Sequence, residues 1–165
     1  MFSSPCGTVP SGKETKNVNY GYAYGDLPVP TLTGYTFLGW YTDAQAGNRK
    51  TETDLVFAEH ILYAHWQINQ YTLAFDAKAS DVTNPDSKTL DYNSAYGTLP
   101  SPTRTGYDLD GWYTDETYAV KAKDSDLITK NTTLYAHWNA KKFTVSFDGN
   151  GGTVPQGEEN KRSCT

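Results

Sequence analysis

Three histidines, two cysteines and a few closely spaced acids are the residues of this 165-residue chain whose types and spacing could do chemistry. His65 and His137 hold the same place in two copies of the pentapeptide LYAHW, and His60 occurs once. A histidine works as a general base or metal ligand only with partners in reach, and no Cys stands at ligand spacing from any of them. A strand position facing outward, or packed at a module edge, accounts for both. Asp108 and Asp110 stand two apart, so on a regular strand they share a face and could divide acid and base duties. The matching residues earlier in the chain are Thr36 and Leu38, which points to a solvated face instead.

The best cation candidate is Asp148-Gly149-Asn150-Gly151-Gly152 with Glu159 behind it. A calcium loop of that kind needs glycine at its sixth position, where this chain has Thr153, and flanking helices that the sequence does not offer. A glycine-rich turn leaving a strand explains it better. Cys6 and Cys164 are too few for a disulfide framework or a four-ligand zinc site. No serine elbow, phosphate loop or dinucleotide motif occurs. The chain is expected to be no enzyme and to carry no cofactor and no metal.

Tyr20, Tyr22 and Tyr24 alternate with Asn19, Gly21 and Ala23, so a strand would put all three rings on one face. Buried, they are core; exposed, they are a strip on which a glycan could stack. The core reading is favoured, because small modules need the area.

The elements that must position these residues come from self-similarity. Gly34 to Asp43 reads GYTFLGWYTD, and Gly106 to Asp115, 72 positions on, reads GYDLDGWYTD. LYAHW at Leu62 returns at Leu134, and AYGDLPVPTLTGY from Ala23 returns as AYGTLPSPTRTGY from Ala95. Such periodicity marks an array of small modules. All four tryptophans, Trp40, Trp66, Trp112 and Trp138, sit at matched positions and belong to the module's architecture. The recurrent positions Gly34, Tyr35, Gly39, Trp40, Tyr63, Trp66, Gly106, Tyr107, Gly111, Trp112, Tyr135 and Trp138 form its structural motif.

Residues 1–66 read as repeat 1 without its first strand, 71–138 as a complete repeat 2, and 143–165 as the start of a third. In repeat 2, strands are expected at Tyr71–Phe75, at Leu90–Tyr92, at Tyr107–Tyr113 and at Thr132–Trp138, with Val18–Tyr22 matching the second in repeat 1. Leu99-Pro100-Ser101-Pro102 is an extended connector, since two prolines so close exclude a helix and a central strand. Phe143–Phe147 repeats the first-strand pattern. Gln67-Ile68-Asn69-Gln70 and Asn139-Ala140-Lys141-Lys142 are the linkers. Strict alternation from Tyr107 would turn Trp112 towards water, so a one-residue bulge is expected at Gly111, and likewise at Gly39, to bury both indoles.

The blocks TVPSG at 8–12, AYG-LP-P-T-TGY, GWYTD and LYAHW, in that order and twice in register, resemble the Listeria–Bacteroides repeat, or internalin B-repeat, family. FTVSFDGNGGTVPQG at 143–157 is similar to that family's start, whereas repeat 2 has Ala77-Lys78-Ala79-Ser80-Asp81 in place of the glycine-rich turn. The resemblance implies mainly β structure: tandem, small, β-grasp-like modules with little or no helix. It implies a non-catalytic spacer or adhesive segment of an extracellular, cell-surface protein, a fragment of a longer array whose signal peptide and anchor lie elsewhere. Host or surface proteins or glycans are the partners it implies. The alternatives are a carbohydrate- or protein-binding module using exposed Tyr or Trp, and accessory repeats of a secreted enzyme.

A net charge of −5 without a basic stripe excludes the electrostatic footprint of a nucleic-acid binder. No apolar run approaches the roughly 20 residues of a membrane-spanning helix. A repeat without its first strand leaves backbone groups open to an incoming strand, so head-to-tail self-association through the C-terminal strand Phe143–Phe147 is expected.

Overall fold

The computed structural model describes residues 7–148 together with Asn150 and Gly152. Cys6, Cys164, Gly149, Gly151, Thr153 and Glu159 lie outside the described residues. The fold is mainly β, with no helix among the described residues. Among the described residues seven strands form: β1 (Tyr35–Tyr41), β2 (Arg49–Lys50), β3 (Tyr63–Ile68), β4 (Gln70–Asp76), β5 (Lys88–Asp91), β6 (Tyr107–Tyr113) and β7 (Thr132–Ala140). Repeat 1 contributes a sheet of order β2-β1-β3, and repeat 2 a sheet of order β5-β4-β7-β6.

Packing cuts across the repeats. One compact unit comprises Met1–Ala74, Ser87–Thr98 and Lys123–Thr132, and the other Phe75–Asp86, Leu99–Ala122 and Thr133–Thr165. In the first, Tyr24, Leu73, Tyr96 and Ile128 are buried; in the second, Phe75, Ala77, Trp112, Ala122, Leu134 and Ala136 are.

Alternation formed the strands that it foretold wherever a neighbour exists to pair with. The β1 and β6 strands match each other residue for residue, and each pairs antiparallel with the LYAHW strand of its own repeat. The expected bulges are present. Leu109 stands opposite Trp138 and Gly111 opposite His137, which leaves Asp110 as the extra residue. Leu38 is the extra residue in repeat 1, between Phe37 opposite Trp66 and Gly39 opposite His65. Gly39 adopts φ +137° and Gly111 φ +155°, backbone that side chains disfavour. Trp112 is turned into the core and is 2% exposed, whereas Trp40 is only half-buried.

Two expected strands are corrected. Residues 18–22 form no strand, and Gly21 turns there at φ +76°. Residues 143–147 form none either, and Phe143, Val145 and Phe147 are exposed. A strand needs a ladder partner, and neither segment pairs as a strand with another among the described residues. Tyr20, Tyr22 and Tyr24 accordingly do not share a buried face, being 78%, 66% and 7% exposed. Tyr24 is buried because its segment zips onto the loop ahead of β3: Gly21 donates to the Val56 carbonyl and Val56 to the Tyr22 carbonyl, at 2.7 and 2.9 Å. Asn93 and Ile128 repeat this in the second copy, at 2.7 and 2.9 Å with the Ile128 and Ser94 carbonyls.

The two copies also differ in the burial of matched core positions. Val56, Leu62 and Ala64 are half-buried, while their counterparts Ile128, Leu134 and Ala136 are fully buried. The linkers are corrected too, since β3 runs to Ile68 and β4 begins at Gln70, leaving Asn69 alone between them.

Candidate functional site: the joint between tandem repeats

Asn69 is held on both sides. Its N–H donates to the Gly34 carbonyl at 2.9 Å, and its side-chain oxygen accepts from Thr36 Oγ1 at 2.6 Å, which ties it to repeat 1. Its own carbonyl accepts the Tyr92 N–H at 2.8 Å, which ties it to repeat 2. Gly34 sits in the tight turn closed by the Tyr35 N–H on the Leu32 carbonyl, at φ +79°. A Cβ on Gly34 would lie 1.9 Å from the Tyr92 ring, so the aromatic rests directly on the bare turn. Tyr92 also meets Tyr71 edge to face, with ring centroids 6.4 Å apart.

The same turn recurs in repeat 2. Gly106 has φ +79°, and the Lys141 N–H donates to its carbonyl at 2.8 Å. Where repeat 1 joins Thr36 to Asn69, repeat 2 pairs Asp108 with Lys141 Nζ at 3.4 Å. A Cβ on Gly106 would meet nothing within 4 Å.

The remaining motif residues are structural in geometry. Trp40 Nε1 donates to the Pro28 carbonyl at 2.7 Å and Trp112 Nε1 to the Pro100 carbonyl at 2.6 Å. Trp138 Nε1 donates to the Ala77 carbonyl at 2.7 Å, and Phe75 packs edge-on against Trp112 at 5.0 Å. Trp66 is half-buried beside Gly7 and packs with Phe37 at 5.4 Å. Tyr107 lies under the Arg104 guanidinium at 3.9 Å, and Tyr135 lies under Lys78 Nζ at 5.4 Å. Tyr35 opens β1, and Tyr63 opens β3 as an exposed residue. A groove of about 380 Å³ beside Trp40, lined also by Leu27, Phe37, Arg49 and Glu52, contains no His, Cys or Asp.

The acid–base candidates separate. The bulge breaks the expected common face: the Asp108 side chain is 71% exposed and that of Asp110 30%. Asp110 gathers Tyr113 Oη, which donates to it, Lys121 Nζ at 3.5 Å and His137 Nδ1 at 3.5 Å. The Tyr113 hydroxyl, then Lys121, hold the Asp110 carboxyl below the usual carboxylate range, while Asp110 pushes the Tyr113 hydroxyl up. His65 has no such acid; it stacks on Tyr41 at 3.9 Å and lies 2.8 Å from the Asp43 carbonyl. His60 contacts the Tyr24 hydroxyl and the Ala58 carbonyl. Among the described residues no three or more of His, Cys, Asp and Glu gather to hold a metal ion. No helix among them is long and apolar enough to cross a membrane.

A sheet-forming module repeated in tandem, with the tryptophan of each Gly-Trp pair anchored on a proline carbonyl, is the class that this geometry defines. The chain belongs to the Listeria-Bacteroides repeat domain family, whose model matches residues 2–65 and again 71–137. It is 39% identical over 133 residues to Internalin H of Listeria monocytogenes, covering 77% of this chain and 23% of that protein. It is 36% identical over 135 residues to a protein of Evansella cellulosilytica named only provisionally as a membrane protein, covering 79% of this chain and 20% of the relative. A second protein of that organism, provisionally named a Gly-rich membrane protein, is 35% identical over 138 residues, or 81% of this chain and 16% of its own length. The chain thus spans between 16% and 23% of the length of these relatives. No solved structure is a significant match.

Proposed function

We propose that this chain is a non-catalytic segment of an extracellular, cell-surface protein, holding other parts of that protein apart and offering surface for adhesive contacts. The observation that carries this reading is the joint at Asn69. A single residue tied to both repeats passes orientation along an array, as a solvated four-residue linker would not. Family membership and the similarity to Internalin H support the surface location. Asp110 and His137 support the non-catalytic reading, because the acid is engaged with Tyr113 and Lys121 and neither residue lines the groove beside Trp40. The proposed modules follow the repeat, at 1–66, 71–138 and 143–165, with Gly34, Gly39, Trp40, Trp66, Gly106, Gly111, Trp112 and Trp138 as structural positions.

A second reading, a carbohydrate- or protein-binding module, is favoured by one contrast. Repeat 1 exposes Tyr22, Phe57 and Ile61 where repeat 2 has Ser94, Thr129 and Thr133. Replacing residues 7–142 in the parent protein by an unrelated rigid β-module of equal length separates the two readings. Retained display and cell attachment support a spacer. Attachment lost both on that replacement and with Tyr22→Ser plus Phe57→Thr supports binding and overturns a pure spacer.

A further inference from the structure

The two turns at Gly34 and Gly106 have the same backbone, yet only one is covered. Both glycines stand at φ +79°. Both carbonyls accept the N–H of the residue that follows the last strand of their repeat, Asn69 at 2.9 Å and Lys141 at 2.8 Å. In each copy that residue is also fastened to the position two after the glycine, Thr36 in β1 and Asp108 in β6. The chemistry of this fastening changes as a pair, from Thr36 with Asn69 to Asp108 with Lys141. An interaction kept while both partners change type is a positional requirement of the joint. At Gly34 the next repeat then lays Tyr92 on the turn, within 1.9 Å of where a Cβ would be. Around Gly106 that space is open among the described residues.

We propose that the Gly106 turn is a docking seat for an aromatic side chain of a following repeat, entered through Lys141 as repeat 2 is entered through Asn69. The seat fits a module of this family with a tyrosine at the place of Tyr92, as repeat 2 has; 72 positions after Tyr92 this chain has Cys164, so the occupant to test is an appended copy of repeat 2. Its floor is backbone that only glycine leaves bare, so the ring approaches the peptide planes directly and buries apolar area on both. The carbonyl of the linker residue then accepts the N–H of the incoming tyrosine, as the Asn69 carbonyl accepts that of Tyr92. The inference deepens the spacer reading and rests on it, because a directional joint gives an array one preferred geometry.

Glycine at φ +79° is required by the turn alone, so the test must separate turn strain from docking. Gly34→Ala and Gly106→Ala carry the same backbone strain, but only the first strikes a tyrosine. In the natural chain Gly34→Ala should lower Tm by several degrees more than Gly106→Ala. In a chain extended by a second copy of residues 71–138 directly after Lys142, Gly106→Ala should become as damaging as Gly34→Ala. The Gly106 Hα resonance should then move upfield by ring current, and lose that shift when the appended tyrosine is changed to Ala. An unchanged cost of Gly106→Ala on extension, with no ring-current shift, overturns the proposal. Should Gly34→Ala fail to fold, the Gly106 resonances of the extended chain decide alone. This result is independent of the replacement experiment on the parent protein, so the joint can fail while the spacer reading stands.

Discussion

Trp112 Nε1 donates to the Pro100 carbonyl at 2.6 Å, and this one bond explains why a proline connector and a Gly-Trp pair recur together in the repeat. Proline keeps the connector extended and out of the sheet, which leaves its carbonyl without a ladder partner. The bulge at Asp110 turns the indole inward to meet it. Trp112→Phe keeps most of the apolar area but leaves that carbonyl unsatisfied, and is expected to destabilise by about 1–3 kcal/mol. Trp40→Phe should cost less, because Trp40 is half-exposed and water can replace its bond to Pro28. Urea unfolding followed by circular dichroism reads both; equal losses at the two sites would contradict the argument.

Glycine at the second bulge position is a conformational requirement. At Gly39, φ is +137°, and an added Cβ would meet Arg49 Nε at 2.6 Å; at Gly111, φ is +155°, and the Cβ would meet Lys121 Cε at 2.3 Å. Both neighbours are ends of flexible side chains and can move aside. The penalty therefore comes mainly from the backbone, and Gly39→Val and Gly111→Val should each destabilise by about 1–3 kcal/mol. Relieving the crowding with Lys121→Ala should restore little of the loss at Gly111. Full restoration would move the cause from backbone to side chain.

Acid and alkali should both loosen the Asp110 cluster, for opposite reasons. The Asp110 carboxyl is held low by the Tyr113 hydroxyl and by Lys121, so its contribution is present above the ordinary carboxylate value and fades as pH falls below about 4. Tyr113 is pushed up by the same bond, so its contribution is present below about 10 and is lost as pH rises through its higher folded value. Asp43 and Asp54 add to the acid limb, held low by backbone N–H groups of Gln45 and Ala46 and of Thr51 respectively. Asp110→Asn should flatten both limbs of a Tm-against-pH curve while leaving most of the acid limb that Asp43 and Asp54 supply. A curve unchanged at both ends would show that the cluster is decorative.

The repeat, the long strands and the bulges were readable in the sequence because each is a local pattern: an alternation, a glycine that breaks it, a motif that returns. Residues 18–22 misled for an instructive reason. Tyr20, Tyr22 and Tyr24 alternate as a strand would, yet Gly21 turns the chain and no strand pairs with it among the described residues. The joint was out of reach because Gly34, Asn69 and Tyr92 are distant in sequence and nothing local marks them. Its one trace was the exchange of Thr36 and Asn69 for Asp108 and Lys141 at matched positions. The contrast between Leu38 and Asp110 is visible in the sequence and points to solvation, whereas in the structure Asp110 gathers Tyr113, Lys121 and His137.

The half-buried core of repeat 1 leads to the last expectation. Val56, Leu62 and Ala64 are half-buried where repeat 2 has fully buried residues, and Leu73 and Phe75 of β4 are buried as well. Phe143-Thr144-Val145-Ser146-Phe147 has the β4 pattern of Tyr71-Thr72-Leu73-Ala74-Phe75, and its apolar side chains are exposed. In the 165-residue chain this segment should add as a strand to repeat 1 of another copy, covering β3 and its half-buried neighbours. The contact joins two different surfaces, so it should build open chains whose length grows with concentration, not closed dimers. Val145→Asp puts a charge where Leu73 is buried in β4, and should abolish association without affecting the fold of a residue already 45% exposed. Sedimentation equilibrium over a hundredfold range of concentration reads both variants. A monomer throughout, with or without the substitution, would end the idea, and a single closed dimer would replace the head-to-tail geometry with a symmetric one.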